Sequence, residues 1–109
     1  MFHKNLHKRV TRENMEILNW LEKWYLSMCD GSWEHSYGVS IDTLDNPGWR
    51  VSIDILDTPL EHKNFHTISR DIDENDWIHC QVKDGKFKGA GDPTKLVEIL
   101  SIFRSFVES

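Results

Sequence analysis

The feature that most constrains the fold of this chain is an alternation of apolar and polar residues in two runs within positions 37–55, one on each side of a central turn. The apolar members are Tyr37, Val39 and Ile41 before the centre of this stretch, and Trp49, Val51, Ile53 and Ile55 after it. A period of two residues is typical of a β-strand with one buried face. At the centre, Asn46-Pro47-Gly48-Trp49 has Pro and Gly at the two middle positions, the preferred chemistry of a type II turn. The sequence therefore predicts a β-hairpin with one apolar and one polar face.

Apolar residues at spacings of three and four predict a helix on each side of this β region. The first helix is expected to begin at Thr11 as N-cap and to end near residues 29–31, where an Asp-Gly pair supplies a positive φ. Its apolar stripe is Ile17, Leu18, Leu21, Trp24, Tyr25 and Met28, with Trp20 at the margin. The last helix is expected to begin with Asp92 as N-cap and Pro93 at the first helical position. Its stripe is Leu96, Ile99, Leu100, Phe103, Phe106 and Val107.

The residues between the hairpin and the last helix predict further strands. Residues 65–72 are expected to form a strand, because Ile68 and Ile72 suit a half-buried ribbon, but the pattern does not define its register. An acidic turn is expected at residues 71–76. Residues 77–82 predict a strand with Ile78, Cys80 and Val82 inward, and an Asp-Gly pair at 84–85 fits a two-residue hairpin turn. A short strand at 86–88 is expected to be broken by Gly89-Ala90-Gly91.

The predicted fold class is therefore α+β. It has an N-terminal helix, an antiparallel sheet of four to five strands and a C-terminal helix, with the helices packed on one face of the sheet. Residues 1–10 are expected to be a basic flexible arm, and residues 11–109 a single α+β domain. The pattern does not determine the order of the strands.

Charge is distributed unevenly along the chain. The net charge is -5, yet residues 1–12 hold four basic residues and no acid, so the rest has 18 acids against nine bases. An acidic body repels nucleic acid and suits a basic partner, although a moderately acidic surface also keeps a protein soluble. No apolar run approaches the roughly 18–20 residues of a membrane span, and no secretory signal is recognisable. We expect a cytoplasmic protein with reduced cysteines.

Two sets of residues contain the atoms of reactive sites. Cys29 and His35 form a nucleophile and base pair, which leaves a small cysteine-dependent enzyme as the alternative function. No third catalytic group accompanies them, and a free Cys is more often a small buried hydrophobe. Together with His79 and Cys80 they include metal-ligand atoms, but adjacent strand residues point to opposite faces and zinc sites use short paired spacings. We expect no metal and no cofactor.

Acids and aromatic residues are concentrated in residues 30–57, where Arg50 is the only full cation. The acids are Asp30, Glu34, Asp42, Asp45, Asp54 and Asp57, beside Trp33, Tyr37 and Trp49. Three roles remain open for the acids: a general acid–base pair, a solvated sheet face, and a docking surface for a cationic partner. Trp and Tyr dominate protein–protein hot spots, but an aromatic cluster that holds the loop onto the sheet explains them equally well. The sequence favours the core for Tyr37 and Trp49 and leaves Trp33 undecided.

Several stretches of the chain are distinctive as sequence. They are Trp20-Leu21-x-x-Trp24-Tyr25, residues 29–39 (CDGSWEHSYGV), residues 43–49 (TLDNPGW), Asp76-Trp77-Ile78, and Phe87-x-Gly89-Ala90-Gly91-Asp92-Pro93-x-x-Leu96. They resemble the immunity 53 family, small bacterial proteins associated with polymorphic toxin systems, and the resemblance covers about residues 15–106. The resemblance implies an immunity-type domain that binds and neutralises a cognate toxin domain in the cytoplasm. It does not imply an enzyme, and it transfers no catalytic residue.

The resemblance and the charge pattern together predict an acidic, Trp-containing toxin-binding surface. Its residues are Asp30, Trp33, Glu34, His35, Asp42, Asp45 and Asp54, with Trp33 as a candidate anchor. If the toxin is a nuclease, its substrate groove is basic because it holds phosphates, and the acidic protein would occupy that groove or lie beside it. Charge reversal at Asp42 and Asp54 is then expected to lower the association rate and its salt dependence. The oligomeric state is not predicted.

Overall fold

The computed structural model describes the backbone of residues 12–109 and the side chains of residues 16–109. Its helices are α1 (Arg12–Met28), α2 (Trp33–Ser36) and α3 (Leu96–Glu108), and its strands are β1 (Val39–Leu44), β2 (Gly48–Asp54), β3 (Ile68–Asp73), β4 (Asp76–Lys83) and β5 (Lys86–Gly91). The predicted α+β fold is confirmed. The predicted arm of residues 1–10 and the N-cap at Thr11 lie outside the described residues. Within the described range, no helix is long and apolar enough to cross a membrane.

The five strands form one antiparallel sheet in the order β1-β2-β5-β4-β3. The last strand along the chain, β5, is therefore central, and β1 and β3 are the two edges. The predicted β1–β2 hairpin is confirmed, and its pairing ends at Leu44 opposite Gly48. The predicted type II turn is wrong, because that turn needs a positive φ at Gly48. Gly48 instead begins β2 with an ordinary φ, and the Asn46–Pro47 peptide bond is cis.

The core lies between one face of the sheet and the two long helices. Its buried residues are Ile17, Leu21, Trp24, Trp33, Val51, Ile53, Ile55, Leu60, Ile78, Cys80, Phe87, Ile99, Leu100, Phe103 and Phe106. The ring of Phe103 in α3 joins the layers, with its centroid 4.9 Å from that of Trp24 and 5.2 Å from that of Phe87. The α3 stripe is thus confirmed, whereas the α1 stripe is narrower than predicted, since Leu18 and Tyr25 are 50% and 39% exposed.

Strand β5 continues through the Gly89-Ala90-Gly91 segment, where the sequence predicted a break. A Cβ at Gly89 would lie 2.4 Å from Ile99 Cγ2, and a Cβ at Gly91 would lie 2.6 Å from Lys95 Cβ. Both glycines face the helix layer, so the missing side chains allow α3 and the chain leading into it to pack directly on the central strand. The positive φ values of Asp84 and Gly85 confirm the predicted two-residue turn between β4 and β5.

Two other predicted boundaries differ from the structure. Strand β3 begins at Ile68, and the preceding Phe65 packs its ring on Phe87 with centroids 5.6 Å apart. The structure also defines the register of this strand: Ile72 is 71% exposed, because the β3–β4 register shifts around it at the sheet edge. Helix α3 begins at Leu96, not at Asp92-Pro93, because residues 92–95 form a separate turn closed by the Lys95 N–H and the Asp92 carbonyl oxygen (3.0 Å).

Candidate functional site

The segment between α1 and β1 is closed on itself by two of the predicted site residues, Asp30 and Glu34. Asp30 Oδ1 accepts hydrogen bonds from the backbone N–H groups of Ser32 and Trp33, both at 2.9 Å. The Glu34 carboxylate accepts hydrogen bonds from the N–H groups of Asp30 (3.0 Å) and Gly31 (2.9 Å). Gly31 has a positive φ of 91°, as predicted. This reciprocal arrangement satisfies free N–H groups before and within the first turn of α2.

These backbone contacts also stabilise the ionised form of both carboxylates. The N–H groups of Trp33 and Ser32 lower the pKa of Asp30, because they stabilise its ionised form. The pKa of Glu34 is lowered in the same way by its own N–H group and by those of Asp30 and Gly31. Both acids are therefore anionic at neutral pH, but their oxygens hold the loop together. A partner at this end would meet carboxylates that already have donors.

Trp33 belongs to the core rather than to the surface. Its side chain is 4% exposed, and its Nε1–H donates to the carbonyl oxygen of Leu56 at 3.0 Å. Its ring contacts those of Trp24 (centroids 6.1 Å apart), Tyr25 (6.1 Å) and Tyr37 (5.9 Å). The short helix α2, which the sequence did not predict, turns this ring inward. In the free protein Trp33 therefore has almost no surface to offer as an anchor.

Asp42 and Asp54 lie on the sheet face that no described helix covers, as the hairpin pattern predicts, but each is paired with a cation. Arg50 donates to both Asp42 oxygens, from Nε at 3.0 Å and from a terminal nitrogen at 3.1 Å. This contact raises the pKa of Arg50, mainly through the hydrogen bond to Asp42. Asp54 pairs with Lys86 and accepts the Gly38 N–H at 2.9 Å. The two acids are thus neutralised within the protein, and they do not form an acidic face.

The seven predicted residues do not form one cluster. Residues 30–35 lie where β1 begins, and Asp45 lies in the turn after β1 ends. At about 3.4 Å per residue, six-residue β1 separates these ends by roughly 17 Å. His35 is exposed on α2, while Asp45 is exposed in the hairpin turn. Of the predicted acids, Asp45 is the one with neither an ion pair nor a side-chain hydrogen bond among residues 16–109.

Asp45 instead belongs to a group of carboxylates that sequence reasoning did not join together. The antiparallel order places the β1–β2 turn and the β3–β4 turn at the same end of the sheet. A groove of about 460 Å³ there is lined by Asn46, Asp71, Asp73, Glu74 and Trp77. We call the exposed carboxylates of Asp45, Asp71, Asp73 and Glu74 the acidic rim. None of them has an ion-pair partner among the residues whose side chains the structure describes.

Trp77, beside the acidic rim, is held by a buried polar network. Its N–H donates to Asp92 Oδ2 at 2.8 Å, and its carbonyl oxygen accepts the Asp92 N–H at 3.1 Å. Asp92 is fully buried and also receives the Thr94 N–H and hydroxyl and the Lys95 ammonium. Lys95 reaches Asp76 as well, at 2.9 Å. Burial alone would raise the pKa of Asp92, but hydrogen bonds from Lys95, Thr94 and Trp77 outweigh it and lower that pKa.

The half-buried Trp77 side chain lies on the same sheet face as the Asp42–Arg50 pair. A Cβ built at Gly48 would lie 3.4 Å from Trp77 Cζ2, so the indole reaches across the end of β5 towards β2. The sequence shows a tryptophan at position 77 and predicts an acidic turn at residues 71–76. What the sequence lacked was the strand order, which brings the two turns and this indole to one end.

We call the uncovered face of the sheet the open face. Its central groove has a volume of about 520 Å³ and is lined mainly by Ser40, Asp42, Arg50, Ser52, His79, Gln81, Lys86, Lys88 and Ala90. The register places small Ala90 between Arg50 and His79, and Lys88 between Ser52 and Gln81. The small residues form the floor, and the longer polar side chains form the walls.

The residues of the alternative enzymatic function are not joined into a reactive pair. Cys29 is half-buried at the end of α1, and its thiol donates to the Tyr25 carbonyl oxygen at 3.2 Å. No hydrogen bond connects Cys29 with His35 in the part of the chain that the structure describes. Cys80 is fully buried, and burial raises its pKa to about 12. Within the same described part, no group of three His, Cys, Asp or Glu side chains could hold a metal ion.

Comparison with known proteins identifies the family. The sequence profile described as Immunity protein 53 matches residues 18–108, nearly all of the chain. The chain therefore belongs to the Immunity protein 53 family, as its distinctive stretches suggested. This membership supports an immunity function, implies a toxin as partner and favours a protein that is not an enzyme. Searches of curated proteins and of solved structures give no significant match.

Proposed function

We propose that this protein neutralises a cognate toxin domain by binding it directly in a one-to-one complex. The observation that carries the proposal is the family match across residues 18–108. The alternative of an enzymatic antidote is not favoured, because the thiol of its candidate nucleophile, Cys29, donates to the Tyr25 carbonyl oxygen. In this reading the cytoplasmic protein protects the cell that produces the toxin.

The contact surface that we propose is acidic and contains a tryptophan, but it is centred on the acidic rim and Trp77. Asp42 and Asp54 are neutralised by Arg50 and Lys86, whereas the four rim carboxylates have no paired cation among the described side chains. Unpaired charges at one end of the molecule produce a field that steers a cationic partner during encounter. The half-buried indole of Trp77 adds apolar area, and its backbone is fixed by Asp92. A basic toxin surface, such as the substrate groove of a nuclease, would suit it.

The first experiment is co-expression with a candidate toxin domain from an open reading frame adjacent to the gene of this protein. We expect survival of the cells and co-purification of the two chains as a stable complex. Survival without a complex would contradict direct binding and would favour an enzymatic antidote using Cys29 and His35. Cell death despite expression of the folded immunity protein would show that this open reading frame is not the partner or that the function is different.

The second experiment tests the acidic rim with a double charge reversal, Asp71→Lys/Glu74→Lys. Both side chains are exposed and line the same groove, so the change should leave the fold intact. At low salt we expect the association rate with the toxin to fall on the order of tenfold and its salt dependence to become weaker. The matched control is Glu16→Lys/Glu22→Lys, the same change in net charge on the exposed side of α1. Equal effects of the two variants would argue against a localised acidic contact.

Asp30, Glu34 and His35 remain a separate predicted contact at the other end of β1. Because Asp30 and Glu34 hold the loop, their substitution would confound folding with binding. His35 is exposed and makes no such contact with its side chain among the described residues, so His35→Ala is the cleaner test. A loss of toxin affinity in this variant with unchanged stability would extend the contact surface to α2.

A further inference from the structure

The central groove of the open face has the opposite charge character to the protein as a whole. The chain carries a net charge of -5, and its acidic rim is at one end of the sheet. The two acids that line or border the central groove, Asp42 and Asp54, are each paired with a cation of the same face. The Lys88 ammonium remains, on the central strand β5, with no ion-pair partner among residues 16–109. The groove is therefore locally cationic within an anionic protein.

The immediate surroundings of Lys88 strengthen this charge. Across the strands it is flanked by Ser52 and Gln81, which are neutral and can donate hydrogen bonds. Along β5, Lys86 lies on the same face two residues away, and Arg50 and His79 border Ala90 in the next row. Hydrogen-bond donors and cations thus line a shallow groove whose floor is formed by small residues. Such a surface favours carboxylates over cationic or purely apolar groups.

The open face adds area to the contact surface that we propose around the acidic rim. A stable protein–protein complex buries about 800 Å² on each partner. Five strands spaced about 4.8 Å apart and about seven residues long give the open face a footprint of roughly 400 Å². Trp77 lies on this face and beside the rim, so the two surfaces are continuous. The open face alone has a footprint of about half of what a standard interface buries on one partner, so a contact that includes both surfaces comes nearer to that area than either surface alone.

We propose that the open face is the second half of the toxin-binding surface and that it receives an acidic segment of the toxin, with Lys88 at the centre of the contact. This inference rests on the proposed function. The toxin would then present a basic region to the acidic rim and carboxylates to the open face. Two contacts of opposite sign fix the orientation of the partner, because rotating it would bring like charges together.

The test is the affinity of the purified toxin for variants of this protein at Lys88. Lys88→Glu places an acid among Arg50, Lys86 and His79, so we expect a stable fold and a loss of toxin affinity of at least about tenfold. Lys88→Gln removes the charge but keeps a long polar side chain, and it should have a smaller effect. Lys23→Glu, on the exposed side of α1, is the matched control and should change affinity less than about twofold.

The outcomes separate this inference from the proposed function. If the rim reversal weakens binding while Lys88→Glu matches the Lys23 control, the open-face contact is wrong and toxin binding stands. If the wild-type protein does not bind the toxin at all, the proposed function fails, and this inference fails with it. Binding of nucleic acid that depends on Lys88 in the absence of toxin would also overturn it, because the face would then recognise phosphates.

Carbodiimide coupling of the complex identifies the partner chemistry directly, since the reagent joins a lysine amine to a nearby carboxylate. We expect mass spectrometry to find an amide between Lys88 and an Asp or Glu of the toxin, and none from Lys23. A link from Lys88 to acids of its own chain alone would contradict the proposal.

Discussion

Replacement of Trp33 by alanine tests whether this residue belongs to the core or to the binding surface. A buried Trp removes roughly 150–250 Å² from water, which at about 25 cal/mol per Å² corresponds to about 4–6 kcal/mol. Mutational experience for Trp→Ala in cores is about 3–5 kcal/mol, because the cavity partly collapses. Since the side chain is 4% exposed, we expect the free energy of unfolding to fall by about 4 kcal/mol. Typical domains have about 5–15 kcal/mol in total, so the variant should still fold.

The companion variant Trp33→Phe separates the ring from its hydrogen bond. It keeps most of the contact with Trp24 but leaves the carbonyl oxygen of Leu56 without its donor, at a cost of about 1–2 kcal/mol. Leu26→Ala is the surface control, because that side chain is 71% exposed on α1 and should change stability by less than about 0.5 kcal/mol. Urea denaturation followed by tryptophan fluorescence and circular dichroism measures all three. If Trp33→Ala is as stable as the control and yet loses toxin binding, the core assignment is refuted.

Three further predictions follow from the packing and from the pKa shifts. Gly89→Ala should destabilise the fold by about 1–3 kcal/mol, because the added methyl group would lie 2.4 Å from Ile99 Cγ2 of α3. The control Gly38→Ala should leave the stability nearly unchanged, because no atom lies within 4 Å of the new Cβ. Equal effects of the two substitutions in thermal unfolding would contradict this reasoning. Because the folded-state pKa of Asp92 is lowered, its stabilisation is present above the unfolded value of about 3.9 and is lost as the pH falls through the folded value. Unfolding free energies measured from pH 7 down to pH 2 should therefore decline below about pH 4, less steeply in Asp92→Asn than in the wild type, and parallel curves would be inconsistent with the role of this carboxylate. In native protein at pH 8, a thiol reagent should modify Cys29 no faster than a model thiol and leave Cys80 unmodified until denaturation, since burial raises the pKa of Cys80 to about 12; a fast reaction at Cys29 would revive the enzymatic alternative.

The local sequence pattern correctly predicted those elements in which residue type matches the burial and backbone conformation of each position in the fold. The two-residue alternation along β2 corresponds to a real buried face, and the stripe of α3 to a helix packed across the central strand. At the edge strand β1 the same alternation gives the correct pairing but not a buried face, since Ile41 is 38% exposed. The Asp84-Gly85 turn and the positive φ of Gly31 follow from local backbone chemistry, so they too were predictable. The turn after β1 was not, because Gly48 serves in the ladder of β2 rather than as a turn residue.

The wrong predictions concern positions where the residue type is explained by a tertiary contact rather than by the local backbone structure. Gly89 and Gly91 suggested a strand break, whereas they are glycines because α3 and the turn before it pack against them. Asp92 resembles a helix N-cap in sequence, but its carboxylate binds Trp77, Thr94 and Lys95 in a buried network. Neither contact produces a periodicity in the sequence, so a pattern of apolar and polar residues does not predict it.

By itself, the sequence determined the α+β class, the hairpin, the helix faces and the membership of the Immunity protein 53 family, because each depends on short spacings or on contiguous residues. The tertiary structure decided which charges are free. Antiparallel pairing neutralised Asp42 with Arg50 and Asp54 with Lys86, and the short helix α2 buried Trp33. The strand order then brought the acidic β3–β4 turn and Trp77 to the same end of the sheet as Asp45, and it left Lys88 on the open face. The net charge follows from the sequence alone, because it is a sum over residues. The electrostatic field that a partner meets depends on which charged groups lie within ion-pair distance of each other, and only the fold sets those distances.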